Sequence, residues 1–325
     1  MRVSVCVPTV NRIAYLREAL ASVAAQTYSD FEVLIADNSG NCTYGERVKA
    51  TVAEFPGLSC RLFHHPEKVS MAENVNFLID RALGEYWICL PDDDRMRPEC
   101  LSVLAEALDS NPEAGFAFSD HWIIRSDGMI DRSATDTCTK RYRRSELRGG
   151  FIMQEDLLSL ALNQSFQLQS MLLRRDVIRM LKFSPNTKIP DFDMQIRITQ
   201  SIPPIHAYYC AERLTEYRVH GGQFTRQTDV KEFYRHAIAS LEGCYSVPLK
   251  FRKQFRQKLA AYHLSLALIE ARDGNKSDST HHLRKSIALD PISLKPYLCS
   301  ALFQLPGSAV AHLQSLVRTL KGLNS

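Results

Sequence analysis

Three consecutive carboxylates, Asp92-Asp93-Asp94, follow directly on the apolar run Tyr86–Leu90. A run of that kind reads as a short buried strand, so the acids arrive together at its carboxyl end. Adjacent acids repel one another and are tolerated in a fold only when solvated or neutralised. A hard divalent cation with oxygen ligands, Mg²⁺ or Mn²⁺, is the natural neutraliser, and it commonly shares its shell with substrate phosphates. The plainer alternative is a solvated acidic turn that complements the dipole of the next helix. A second acid pair, Asp191 and Asp193, opens a helical stretch far downstream. Residues two apart on a helix point in different directions, and capping needs only one of them. His220 follows a Tyr-Arg-Val segment and precedes Gly221-Gly222, on a glycine-flanked loop that faces either solvent or a site.

The elements that must position these groups are legible as periodicities. Val3–Val7 and Phe31–Ala36 are apolar strands, ending at Pro8-Thr9 and at the turn Asp37-Asn-Ser-Gly40. Between them Leu16, Ala19, Leu20 and Val23 recur at helical spacing, with Asn11 placed to cap that helix. A helix over 44–55, a strand over 61–64 and a helix over 71–82 come next, then the strand that carries the triplet. Strands alternating with helices of this length predict a mostly parallel central sheet with helices on both faces. Ligands of such sheets bind beyond the carboxyl ends of the strands. Thr9–Arg12, Asp37–Ser39 and Asp92–Asp94 all fall at those ends, and three polar strand ends in one crevice favour a site over solvated loops.

The residues Ser4-Val-Cys-Val-Pro-Thr-Val-Asn-Arg12, Tyr15–Leu20, Gln26-Thr-Tyr28, Asp30–Ser39 and Gly84-Glu-Tyr86 resemble the family 2 nucleotide-sugar glycosyltransferases, whose fold is the A-type glycosyltransferase fold. The resemblance covers residues 1 to about 105 and includes no glycine-rich phosphate loop. It implies that Pro8, Thr9 and Asp37 line the base and ribose of a donor, a UDP-sugar being favoured. Asn11 and Arg12 lie beside that pocket, and Asn74 stands in the region where the family carries an arginine. It further implies that Asp92 meets the nucleotide, that Asp93, Asp94 and His220 face Mn²⁺ or Mg²⁺ and the pyrophosphate, and that Asp191 is the catalytic base with Asp193 in reserve. Inverting transfer needs such a carboxylate to take the acceptor hydroxyl's proton. The implied acceptor is a glycan or lipid-linked saccharide of bacterial surface polysaccharide or lipopolysaccharide synthesis.

Further along, a helix is expected over 98–108, a strand over 114–119, a turn at Ser126-Asp-Gly128 and a strand over 169–174. The charged stretch 135–150 reads as a solvated loop, or alternatively as a mobile lid over pyrophosphate. His121 reads as a packing or surface histidine. From about residue 229 the pattern turns wholly helical, and Leu259–Pro291 resembles a single tetratricopeptide-like hairpin. These boundaries give a catalytic domain over 1–228, with a nucleotide half (1–105) and an acceptor half (106–228), and a helical extension over 229–325. A final helix over 309–320 offers an apolar face for a membrane surface or for a second copy of the chain.

A formal charge of +4 is too small and too dispersed to argue for nucleic acid. Nine cysteines, none spaced C-x-x-C, point to a reducing cytoplasmic setting without a disulfide framework or zinc site. No apolar run approaches the length of a membrane span, and the strand beginning at Arg2 leaves no room for a signal peptide. Two other functions share parts of this pattern. A sugar-nucleotide-forming nucleotidyltransferase would need a glycine-rich triphosphate loop where Pro8–Arg12 has no glycine. A non-catalytic nucleotide-binding module would not need the acids at 191 and 193.

Overall fold

A computed structural model describes residues 1–223 and 229–303. The chain divides into two compact units between residues 227 and 228. The first is built on a nine-stranded sheet of order β3-β2-β1-β4-β8-β6-β9-β5, with β7 pairing on β9.

β1 (Val3–Thr9), β2 (Phe31–Asp37), β3 (Cys60–His64) and β4 (Tyr86–Cys89) are mutually parallel. Their register decides what meets at the carboxyl edge. Thr9 pairs with Asp37 and Asp37 with His64, while Cys6 pairs with Cys89. Extending the last pair by three residues puts Asp92 beside Thr9, so Asp92, Thr9, Asp37 and His64 form one row across neighbouring strands. The helices α1 (Ile13–Ala24), α2 (Cys42–Ala53) and α3 (Met71–Arg81) cover this half. α1 buries Leu16, Ala19, Leu20 and Val23, the residues whose spacing predicts it. α3 begins at a capping box in which Ser70 and Glu73 satisfy each other's backbone N–H.

The second half interleaves with the first. β8 (Met171–Arg174) enters antiparallel between β4 and β6 (Ala114–Arg125), with Leu172 opposite both Ile88 and Ala117. β9 (His206–Val219) runs parallel to β6, with β5 (Arg95–Met96) and β7 (Gly150–Ile152) antiparallel along it. α4 (Cys100–Ser110) packs its apolar stripe into the main core, and α6 (Gln154–Leu162), α7 (Arg175–Leu181) and α8 (Pro190–Thr199) complete this half. Phe116, Phe118 and Phe166 are fully buried with centroids 5.3–5.9 Å apart. Burial of each contributes roughly 2 kcal/mol.

Two expectations need correcting. Asn11 does not cap α1: it is exposed in a left-handed conformation (φ 55°), Arg12 precedes the helix, and no side chain caps it. The stretch 135–150 is not a solvated loop, because it folds into α5 (Arg132–Arg141) and a single helical turn at Arg144–Glu146. Arg144 is buried there against Asp120 at 2.5 Å.

The second unit contains α9 (Val230–Glu242), α10 (Arg252–Arg272), α11 (Lys276–Leu289) and α12 (Leu294–Phe303). α10 and α11 form a hairpin in which Leu259, Leu266 and Leu283 are buried. Across it the Nδ1 atoms of His263 and His282 lie 2.9 Å apart. The helix expected over 309–320 lies outside the described residues. Among the described residues no helix is long and apolar enough to cross a membrane.

Candidate active site

The carboxylate triplet is divided among three jobs. Asp92, buried, accepts hydrogen bonds from Thr9 Oγ1 (2.8 Å), the Val10 amide (3.1 Å) and Arg12 (3.1 Å). It therefore ties the β4 end to the loop after β1. Burial and neighbouring Asp93 push its carboxyl up to about 6, against the pull of Arg12. Asp94 faces inward and accepts the backbone N–H of Arg218 at 2.9 Å; burial and Asp93 raise its carboxyl as well. Asp93 holds the middle. Its Oδ2 lies 2.8 Å from Arg12 and 2.9 Å from His220 Nε2.

His220 is set from two sides. Its Nδ1 accepts the Gly222 N–H at 3.2 Å, which leaves Nε2 as the protonated nitrogen of the neutral ring and the donor to Asp93. Its ring packs on Tyr15 with centroids 5.0 Å apart. Beneath lies Arg218, fully buried, whose guanidinium donates to the Asp93 carbonyl (2.7 Å) and to Glu18 (2.5 Å) and sits 4.5 Å from the Tyr15 ring. Arg218 thus fixes the backbone of the triplet from β9. The period-two run Glu216, Arg218, His220 is the signal for it, since one strand face is polar while the strand itself is buried.

Pro8 is half-buried in β1, and beside it Asp37 is fully buried. Asp37 Oδ1 accepts the Ser39 N–H at 2.9 Å and its Oδ2 meets His64 Nδ1 at 2.7 Å. Tyr44 on α2 accepts the Arg12 N–H through its hydroxyl at 2.6 Å. Neither His64 nor Tyr44 is marked by a motif. Tyr44 belongs to the apolar stripe of α2, and only the strand register brings His64 to Asp37. Asn74 is buried and pairs with His65 Nε2 at 3.0 Å, while Asn76 braces Phe183 through both backbone groups.

The second acid pair separates in role. Asp193 binds Arg197 at 2.8 Å, and Arg197 in turn holds the carbonyls of Leu181 and Lys182 at the end of α7. That is a brace between helices. Asp191 stands in the first turn of α8, beside Pro190 at its start, with Oδ1 sealed from solvent and no hydrogen-bond partner for it. Burial alone pushes this carboxyl up to about 6. The thiol of Cys89 is raised by burial and, after Cys6, by the charges of Asp191 and Asp94, which places Asp191 within electrostatic reach of the strand that ends in the triplet.

These donors suit a divalent cation. Asp93 Oδ2 and His220 Nε2, an oxygen and a nitrogen, lie 2.9 Å apart in a hydrogen bond, and a cation held by both would take the place of the Nε2 proton. Among the described residues no third His, Cys, Asp or Glu completes a protein-only cage. Mg²⁺ and Mn²⁺ do not need one where substrate phosphates and water fill the shell.

Residues 4–171 match the sequence model of Glycosyl transferase family 2. The chain belongs to that family. Its first unit has the A-type fold. A curated uncharacterized glycosyltransferase of Nostoc is 27% identical over 135 residues, 42% of this chain and 41% of that one. An uncharacterized protein of Sinorhizobium fredii is 30% identical over 120 residues, 36% of this chain and 13% of its own length. The chain thus spans less than half the length of these relatives. Among solved structures, Staphylococcus aureus TarS 1–349 in complex with UDP-GlcNAc aligns at a TM-score of 0.60 and 14% identity, over 89% of this chain and 91% of that one. The mannosyltransferase PcManGT from Pyrobaculum calidifontis, in complex with GDP-Man and Mn²⁺, aligns at 0.60 and 16%, over 98% and 80%. At those identities the likeness is one of fold.

Proposed function

We propose that this glycosyltransferase moves a sugar from a nucleotide-diphosphate donor, a UDP-sugar being favoured, to a saccharide hydroxyl with inversion. The observation that carries the reading is the Asp191 carboxylate, unpartnered and raised toward neutrality. A general base works best with a pKa near the operating pH and with its oxygen free for the incoming proton. Asp191 takes the acceptor hydroxyl's proton as the oxygen attacks the anomeric carbon. Single displacement needs one base, and Asp193 is already committed to Arg197.

Residues 1–105 hold the donor in this reading. Pro8, Thr9 and Asp37 line base and ribose, His64 orients the Asp37 carboxylate, and Asn11 and Asn74 border the pocket. Asp93 and His220, with Asp94 behind, hold a Mn²⁺ or Mg²⁺ ion that supplies charge neutralisation to the departing diphosphate. Arg12 bridges Asp92 and Asp93 in the free protein and exchanges these contacts for phosphate when donor binds. Residues 106–228 hold the acceptor, with 229–325 a helical extension. Bacterial surface polysaccharide made at the cytoplasmic face is the setting we favour.

The test is a screen of UDP-, GDP- and dTDP-sugars with Mn²⁺ or Mg²⁺, followed by product stereochemistry. Donor turnover abolished by Asp191→Asn supports the reading. No turnover of any donor by the wild type, or full activity of the variant, overturns it.

A further inference from the structure

The first unit contains a pocket, of about 560 Å³, lined by none of the residues assigned above to the transfer site. It arises from an irregularity in the β6–β9 ladder. Ser119 pairs with Cys210 but Asp120 with Arg213, so Ala211 and Glu212 are extruded as a bulge. On its other edge β9 carries β7 at Ala207–Tyr209 and β5 at Thr215–Glu216, so no strand covers the bulge. Bulges of this kind re-aim side chains next to functional sites.

Asp120 and Arg144 line the pocket, with side chains 7% and 1% exposed and 2.5 Å apart. Asp120 also accepts from Thr139 (2.6 Å) and from Arg213 (3.3 Å), which lies 4.6 Å from the Trp122 ring. Burying such a network costs desolvation that apolar residues would avoid, so it is weak as a device for stability. At an open pocket it is instead a preorganised set of donors and acceptors. The chemistry selects the ligand class. The lining cations Arg97, Arg144 and Arg213 are matched by Glu99, Asp120 and Glu212, so a nucleotide or free phosphate gains no net attraction. Aromatic walls, Trp122 and Tyr209, beside carboxylates and guanidinium forks suit a neutral ligand with an apolar face and many hydroxyls. The volume lies within the ~300–1,000 Å³ of small-molecule pockets.

Arg213 precedes His220 by seven residues along β9 and the residue after it, a span of about 20 Å at strand rise. A ligand here does not touch the phosphate end of the donor. We propose that this pocket is a subsite for a saccharide residue of the acceptor remote from the attacked hydroxyl, so that the enzyme prefers oligosaccharide to monosaccharide acceptors. The proposal rests on the transfer reaction given above.

The two tryptophans make the test direct, because Trp87 is fully buried in the sheet while Trp122 lines the pocket. The full chain labelled with 5-fluorotryptophan is titrated, without donor, with chitotriose, mannotriose, maltotriose and pyrophosphate. The expected result is a saturable shift of the Trp122 resonance with at least one trisaccharide, Trp87 unmoved, and affinity about tenfold weaker in Glu212→Gln. No response of Trp122 to any trisaccharide, or tighter binding of pyrophosphate than of every saccharide, overturns the subsite. The titration needs no turnover. A chain that consumes donors without a Trp122 response loses only the subsite, and one with the response but no turnover loses only the reaction.

Discussion

Asp191 shows how one side chain is pulled between folding and chemistry. Its carboxyl is raised from 3.8 to about 6 by burial, so the folded chain binds this proton more tightly than the unfolded one. A group raised in this way stabilises the fold below about pH 4 and loses that contribution as pH climbs through 6. Asp191→Asn should therefore raise stability at pH 8 by about 2 kcal/mol in urea denaturation while lowering kcat by at least ~100-fold. A variant that is inactive but no more stable would mean that the carboxylate is solvated in solution. The same value predicts that wild-type kcat rises with pH across about 6 and then levels, measured with saturating donor and acceptor. Arg12 supplies a second residue-scale expectation. Its guanidinium lies 2.8 Å from Asp93, one of the atoms proposed to hold the cation, and so competes for it. Arg12→Gln should bind Mn²⁺ about tenfold more tightly than wild type when no donor is present, read by Mn²⁺ EPR. Unchanged or weaker affinity would remove Arg12 from that role.

At the level of strands and helices, Gly84 explains why one small residue belongs to the resemblance. A Cβ there would lie 2.7 Å from the Ser4 amide nitrogen and 2.8 Å from the Val3 carbonyl carbon, neither of which is a flexible side-chain tip. The Gly84 N–H also donates to Ser4 Oγ, which donates to buried Glu32. Gly84→Ala should cost about 2–3 kcal/mol in urea denaturation by forcing β1 and β4 apart; a change under ~0.5 kcal/mol would show that the crossing relaxes freely. The same crossing shows what was legible beforehand. Apolar runs and helical spacings located the strands and helices of residues 1–105, and their polar ends marked Thr9, Asp37 and Asp92. Pairing across the sheet is not written in local periodicity. His64 therefore went unmarked, as did Arg218, whose guanidinium bonds to partners 92 to 200 residues away. Arg144 was hidden for a different reason. A run of basic residues usually means solvent, and only the distant carboxylate of Asp120 turns one of them inward.

Across the molecule the two units are held by different chemistry. In the helical unit, burial, His282 and other nearby groups lower His263 from 6.5 to about 4, even with Glu242 close by. Lys285 adds to that lowering, while His281 and Arg235 act on His282 and Glu270 and Asp278 oppose them. A depressed histidine contributes stability above pH 6.5 that is lost as pH falls toward 4. The helical unit should therefore lose about 1–2 kcal/mol between pH 7 and pH 5, followed by circular dichroism in urea, and His263→Gln should flatten that dependence. An equal slope in the variant would place the acid sensitivity elsewhere. The first unit depends instead on late-arriving sheet partners. β4 lies between β1 and β8, yet β8 is made only at Met171–Arg174, more than eighty residues after β4 ends. During synthesis the edge of β4 consequently waits roughly 5–15 s for its neighbour at ordinary elongation rates. For that interval the apolar strand Tyr86–Cys89 is an open edge on a growing chain. The isolated first 105 residues would keep that edge permanently, so this segment is a poor candidate for excision as a free-standing module: it would self-associate through β4 where the intact chain has closed the gap.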